Sequence, residues 1–376
     1  MALLLLILGL VIIFVGLVVA HEFGHFIIAR RNGVAIEEFG IGFPPRIWSR
    51  KLKNGCLFSI NVLPLGGFVR LHGEHDTDTG PNSFGVATIW VKTKILLAGV
   101  FMNLLVAFVL LTTLAWIGMP QLVSNQFSVA SDAHTTNNKI LIGYVEPGSP
   151  AQRAGLKSHD RLEAIGQAYH LKTITSAKQL PALTAKLAGQ VVTIRYVRDG
   201  QISYTKAMLR SAAVVATSER TNGLSQGYLG VSPVEYTLIR STWSAPLVAA
   251  GLIRQFTILT FHGLGVTAHA IAQSHYKKAS SQVSGPVGLF VILRDGSLLG
   301  YQFVLSIIAV ISLTLALINV LPIPALDGGR LFVLLVSRFL RKPLSQNLEE
   351  RISATGFAIL FLLMILITIS DVSHLK

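Results

Sequence analysis

Two histidines and a glutamate interrupt the first long apolar run of this chain. Residues 2–20 are apolar, His21-Glu22-Phe23-Gly24-His25 follows, and 26–29 is apolar again. Read as one helix over 10–29, residues four apart share a face, so His21 and His25 aim their imidazoles at one point with Glu22 beside them. Two neutral imidazoles at that spacing can hold a zinc ion, and a neighbouring carboxylate can handle a proton. The five-residue pattern is short and recurs by chance as an ordinary polar helix face. Here it lies at membrane depth, where ionisable groups are costly unless they pair or bind something, and that favours the metal.

Composition agrees with a membrane setting. Of 376 residues 51% are hydrophobic and 13% charged, and several apolar runs are long enough to cross a bilayer. The net charge of +14 does not indicate nucleic acid as a partner, because much of the Lys and Arg flanks apolar spans, as positive-inside bias requires. The single cysteine, Cys56, excludes an intramolecular disulfide and a cysteine-rich metal site. No positive n-region or small-residue cleavage site precedes the histidines, so the first helix reads as retained.

The spacing predicts a polytopic α-helical membrane protein with four transmembrane helices and both termini outside. The first span ends at Arg30-Arg31-Asn32-Gly33, a cytosolic boundary that puts the histidines near the inner side of the bilayer. Residues 36–72 are too broken by Gly and Pro to span. With Lys53-Asn54-Gly55 as a turn signal, they predict a small membrane-associated β-region. In it, Gly66 and Gly67 leave backbone open to close approach by another chain, and an ordinary turn is the equal alternative. The sequence His72-Gly73-Glu74-His75-Asp76 reads as a solvated loop.

Residues 95–117 form the second span, with Asn103 as a polar side chain in its first half. A buried Asn needs a partner, and helix-helix bonding explains it as well as a role in the site does. Residues 126–230 are polar and strand-like, enough for one inserted α+β domain outside the membrane. Residues 231–298 read as a linker and an apolar helix over 243–271. Counting that helix as a crossing would put Asp327 at the face opposite His21 and His25 and Arg330 to Arg351 outside, so it is read as lying along the outer interface.

The third span, 302–321, breaks at Asn319-Val320-Leu321-Pro322-Ile323-Pro324-Ala325-Leu326-Asp327-Gly328-Gly329. Two closely spaced prolines cannot continue a helix, and unwound backbone at this depth must be buried in protein or line a wet cavity. Asp327 there is the natural third zinc ligand, and its alternative is a plain helix cap. Residues 352–369 are the fourth span. The division is thus 1–120 and 299–376 for the two halves of a membrane core, with 126–230 and 231–298 between them.

Three separated stretches resemble the bacterial site-2 proteases, zinc metalloproteases that cut within the membrane. They are His21-Glu22-Phe23-Gly24-His25, Leu65-Gly66-Gly67-Phe68, and the run from Asn319 to Gly329; Ser284-Gly285-Pro286-Val287-Gly288 is also similar. The run from Val145 to Leu156 is similar to the peptide-binding PDZ modules such proteases carry. Here there is one such module, not a tandem pair, with His159-Asp160 in place of Gly-Asp. Val100 replaces a usual Pro, and Arg330 stands where His is frequent.

The resemblance implies zinc on His21, His25 and Asp327, Glu22 as general base, and Asn319 as a donor to the oxyanion or substrate backbone. Gly66, Gly67 and Asn103 complete the candidate substrate-binding residues. It implies a multi-pass protein of the bacterial inner membrane with its PDZ-like module periplasmic. Substrates would be single-span proteins such as an anti-sigma factor already shortened by a site-1-type protease. The module, lying between the second and third spans, would exclude substrates with intact ectodomains or recruit new C-termini. A catalytically silent PDZ scaffold is the rival reading, and the complete ligand set argues against it.

Overall fold

The computed structural model describes residues 2–53, 55–74, 80–167, 170–198, 200–222, 227–273, 285–297, 299–341 and 346–374. Asn54 of the expected turn, His75 and Asp76, and Ser284 fall outside these. The chain divides into two compact units. One comprises the residues up to Leu114, Ser244–Ser297 and those from Phe303 on; the other comprises Ala115–Trp243 with Leu298–Gln302.

The first unit opens with α1, Ala2–Arg31, whose apolar residues run on all sides with no acidic residue in the first turn and Arg30 and Arg31 in the last. Strands β1, Ile36–Lys51, and β2, Leu57–Leu71, follow and pair antiparallel. Each bends, so the pair behaves as four strand segments: 46–51 lies beside 57–61, that beside 36–41, and 36–41 beside 67–71. The bend in β1 turns on Gly42, at φ +78°, where a side chain would stand 2.7 Å from the Leu63 carbonyl oxygen. Glu38 is buried in this sheet and paired with Arg46 at 2.8 Å and Arg70 at 3.5 Å. Helix α2, Ile89–Ile117, closes the first half.

In the second unit β3, Met119–Pro120, is followed by β4, His134–Val145, a single turn α3, Pro150–Arg153, and β5, Arg161–Gln167. Then come β6, His170–Thr173, α4, Gln179–Lys186, β7, Val191–Arg198, β8, Gln201–Met208, α5, Ala212–Asn222, and β9, Val231–Arg240. The sheet order is β3-β9-β4-β5-β7-β8, with β6 on β5. Alternate residues of these strands, Ile140 and Ile142, Val192 and Ile194, point into one core with Leu162, Ile165 and Leu180.

The unit therefore reaches beyond the expected limits of 126 and 230. Strand β9 is part of the domain and not of a linker. Pro233 inside the run argues against a central strand from sequence alone, yet β3 covers β9 only at Leu238 and Ile239. At Pro233 no hydrogen bond is asked of the open edge.

The first unit resumes with α6, Ala245–Ala272, α7, Pro286–Ser297, α8, Tyr301–Val320, α9, Asp327–Phe339, and α10, Gln346–His374. Among the described residues five helices are long and apolar enough to cross a bilayer: α1, α2, α6, α8 and α10. Their outward faces are apolar, as Phe101 and Val109 on α2 and Phe357, Ile359 and Leu362 on α10 illustrate. Surface of this kind suits lipid, and the chain is a multi-pass membrane protein with a β-sheet region.

Candidate metal centre

On α1, His21 and His25 are each 8% exposed, and their Nε2 atoms lie 3.2 Å apart. Asp327 Oδ2 lies 3.0 Å from His21 Nε2 and 3.3 Å from His25 Nε2. Among the described residues this is the one group of three ligand-bearing side chains close enough to share an ion. A tetrahedral zinc with bonds of about 2.0–2.1 Å holds its ligand atoms about 3.3 Å apart, so the triangle has the right size.

The hydrogen bonds on the far side of each ring support the same reading. His25 Nδ1 lies 2.7 Å from the Ile95 carbonyl oxygen, which only accepts, so Nδ1 carries the hydrogen and Nε2 keeps a bare lone pair. His21 Nδ1 is 3.2 Å from the Asn103 side-chain amide, whose Oδ1 is buried without a partner. The amide turned end for end presents Oδ1 to Nδ1–H and gives His21 the same tautomer, the orientation a metal on Nε2 requires. Asp327 Oδ2 is likewise buried with no hydrogen-bond donor. Two lone pairs and a carboxylate oxygen converging on one point leave a cation as the natural occupant.

Gly99 keeps that point clear. A Cβ on Gly99 would stand 2.6 Å from both Nε2 and Cε1 of His21. At Gly24, on α1, a Cβ would stand 2.8 Å from the Ala98 carbonyl carbon, so α1 and α2 cross at two glycines with the imidazoles against the crossing. Gly99 is not among the site residues expected from the sequence. Its signal is the spacing Gly99-x-x-x-Asn103, which puts both on one helix face.

Asp327 reaches the histidines because the chain between α8 and α9 is unwound. Ala325 sits at φ +76°, a left-handed conformation uncommon for a residue with a side chain. Leu326, not Asp327, holds the cap position of α9, and no side chain caps it. A Cβ on Gly328 would stand 2.5 Å from the Val320 carbonyl carbon, and one on Gly329 would stand 2.6 Å from that of Ile323. The Gly pair lets the start of α9 press against the loop and delivers the carboxylate.

Glu22 lines a cleft of about 390 Å³ together with His25, Asp327 and residues 67–71 of β2. Its carboxylate accepts from the Val69 backbone N–H. A Cβ on Gly67 would stand 3.4 Å from Glu22 Cγ, in ordinary contact, so this glycine faces Glu22 and only a larger side chain would crowd it. Gly66 faces the other way, against the Phe43 ring, where a Cβ would meet Cε2 at 2.7 Å. Glu74 accepts from the Leu71 N–H at 2.8 Å and stands 3.6 Å from Arg330, tying the outer segment of the sheet to the helix that begins at Asp327.

The structure thus brings His21, Glu22, His25, Asp327 and Gly67 together. Asn103 stands behind His21 and not toward the cleft, a placement that differs from the substrate contact expected of it. A polar side chain inside an apolar span marks the site's neighbourhood without saying which side of the ligand it occupies. Asn319 lies half-buried in the last turn of α8, outside the lining of this cleft.

Comparison with known proteins points the same way. The sequence pattern of peptidase family M50 matches residues 9–363. Zinc metalloprotease RasP of Shouchella clausii is 28% identical over 451 residues, covering 98% of this chain and 99% of its own. RasP of Geobacillus kaustophilus is 25% identical, with 97% of each chain covered. A Clostridium perfringens protein provisionally named a zinc metalloprotease is 29% identical over 96% of each. The chain belongs to peptidase family M50 and is a zinc metalloprotease of the site-2 type.

Proposed function

We propose that this protein hydrolyses a peptide bond inside the membrane-spanning segment of a single-span protein, with His21, His25 and Asp327 holding zinc. The observation that carries the reading is the convergence of these three ligand atoms beside Glu22 and the outer segment of the β2 sheet. Zinc bound there supplies an activated water and a polarised scissile carbonyl. Glu22 accepts the proton and returns it to the leaving nitrogen, with its carboxylate held by the Val69 N–H. A transmembrane helix hides its amides in its own hydrogen bonds and must open before it is cut. Residues 67–71, on the outside of their sheet, take up the opened segment by strand addition. Asn319 serves the substrate backbone once that segment is seated.

Four helices cross in this reading and α6 lies along the outer interface, which puts Arg30, Arg31 and the basic run 330–351 in the cytosol. The unit 115–243 is then an extracytoplasmic PDZ-like module, and the membrane is a bacterial inner membrane. Substrates are single-span proteins such as anti-sigma factors shortened by an earlier cut, and the product is a cytosolic signalling fragment. The test is a single-span reporter incubated with the reconstituted enzyme and its products mapped by mass spectrometry. A cut within the apolar stretch is expected. Cuts confined to the soluble flanks would overturn the intramembrane assignment.

A further inference from the structure

We propose that the unit 115–243 binds the phosphate of an anionic lipid headgroup, in a cavity on the sheet face where β4, β5 and β9 meet. The cavity is about 490 Å³. Register explains its lining. Lys139 of β4 lies opposite Tyr236 of β9, and Leu141, two residues on and so on the same face, lies opposite Arg161 of β5. Lys157 and Arg198 add to the wall.

The charge there is positive. The carboxylate in the lining, Asp160, is 2% exposed and already engaged: Arg198 donates to both its oxygens at 2.7 Å, and the Lys157 backbone N–H donates at 2.8 Å. Arg161 shares Glu163 with Arg195. Lys139 and Lys157 remain in excess.

Two buried donors make the cavity more than a basic patch. Tyr236 is 6% exposed, and its hydroxyl has no hydrogen-bond partner; Arg161 Nε is also buried without one. Buried donors are normally paired, and two orphans on one cavity wall suit an acceptor-rich ligand. Burial pushes the Tyr236 hydroxyl up to about 12, so it stays a donor at working pH. A phosphate group offers several acceptor oxygens to such donors, and the two lysines balance its charge.

Chain continuity identifies the source of that phosphate. Leu299 lines the same cavity, and α8, one of the helices long and apolar enough to cross, begins at Tyr301. Two residues of chain reach at most about 7 Å. The headgroup layer is about 5–7 Å deep on each side of the hydrocarbon, so Leu299 stands at headgroup level when α8 crosses.

The test uses the full-length protein in nanodiscs of phosphatidylcholine with and without phosphatidylglycerol, and lipid retained after transfer to detergent is counted by native mass spectrometry. Phosphatidylglycerol should be retained in preference to phosphatidylcholine. Tyr236→Phe, which removes a single oxygen, should weaken retention about tenfold, the loss of one hydrogen bond to a charged group. Lys139→Gln with Lys157→Gln should abolish it, while zinc content and thermal unfolding stay at wild-type values. Equal retention in wild type and both variants would overturn the site. Inorganic phosphate that displaces phosphatidylglycerol at equal concentration would overturn the lipid as the ligand and leave a free-anion site.

Discussion

Asn103→Leu isolates the contribution of the hydrogen bond behind His21. Leu has the same branched arrangement of side-chain heavy atoms as Asn and cannot accept, so the imidazole loses the partner that fixes Nδ1–H and with it the tautomer that presents Nε2 to the metal. The backbone carbonyl of residue 103, which accepts from Ser312 Oγ at 2.8 Å, is untouched, so the packing of α2 on α8 survives. Residue 103 is 1% exposed, and no solvent replaces the lost bond. Loss of such a supporting partner lowers metal affinity about 10–100-fold, equivalent to about 1.4–2.7 kcal/mol. Chelator competition on the purified protein reads this directly, and thermal unfolding of the zinc-free form serves as control. Asn103→Asp keeps an acceptor at the same place and should retain most of the affinity. Wild-type zinc affinity in Asn103→Leu would refute the tautomer argument, as would equal loss in Asn103→Asp.

Other substitutions test other parts of the site. Gly99→Ala puts a methyl group well inside contact distance of both imidazoles, so zinc content should fall more than about tenfold, and undiminished zinc would mean the ion sits elsewhere. Gly67→Val should leave zinc bound and lower cleavage about a hundredfold by moving the strand off Glu22. Gly66→Ala should act on stability through Phe43 instead, and a reversal of these two effects would show that the strand is seated the other way round. A reporter fused after Arg341 should behave as cytosolic and one at Gln201 as external; an external report at Arg341 would mean that α6 crosses.

The parts of the site legible in the sequence were those fixed by local periodicity or by cost. His21 and His25 are four apart on a helix, so their convergence needs no tertiary information. Asp327 follows two prolines that forbid a helix, and an acidic group on unwound backbone at that depth has few other uses. The Gly66-Gly67 pair shows the limit. Adjacent strand residues face opposite ways, so one of the two had to miss the site, and only the register of β2 against β1 decides which. Gly99 was hidden for a related reason: a glycine in an apolar span signals close packing in general, and its neighbour is known only once α1 and α2 are placed. Strand β9 was read as linker, and its place in the sheet follows from its pairing along β4, which no local pattern shows.

The central claim is that zinc on His21, His25 and Asp327 works with Glu22 as the base. It is tested most directly by measuring zinc content and reporter cleavage on the same preparations of wild type, Glu22→Gln and Asp327→Ala. The account predicts one zinc per chain and cleavage in wild type, one zinc and no cleavage in Glu22→Gln, and loss of both in Asp327→Ala. Substantial cleavage by Glu22→Gln, or full zinc in Asp327→Ala, would contradict it.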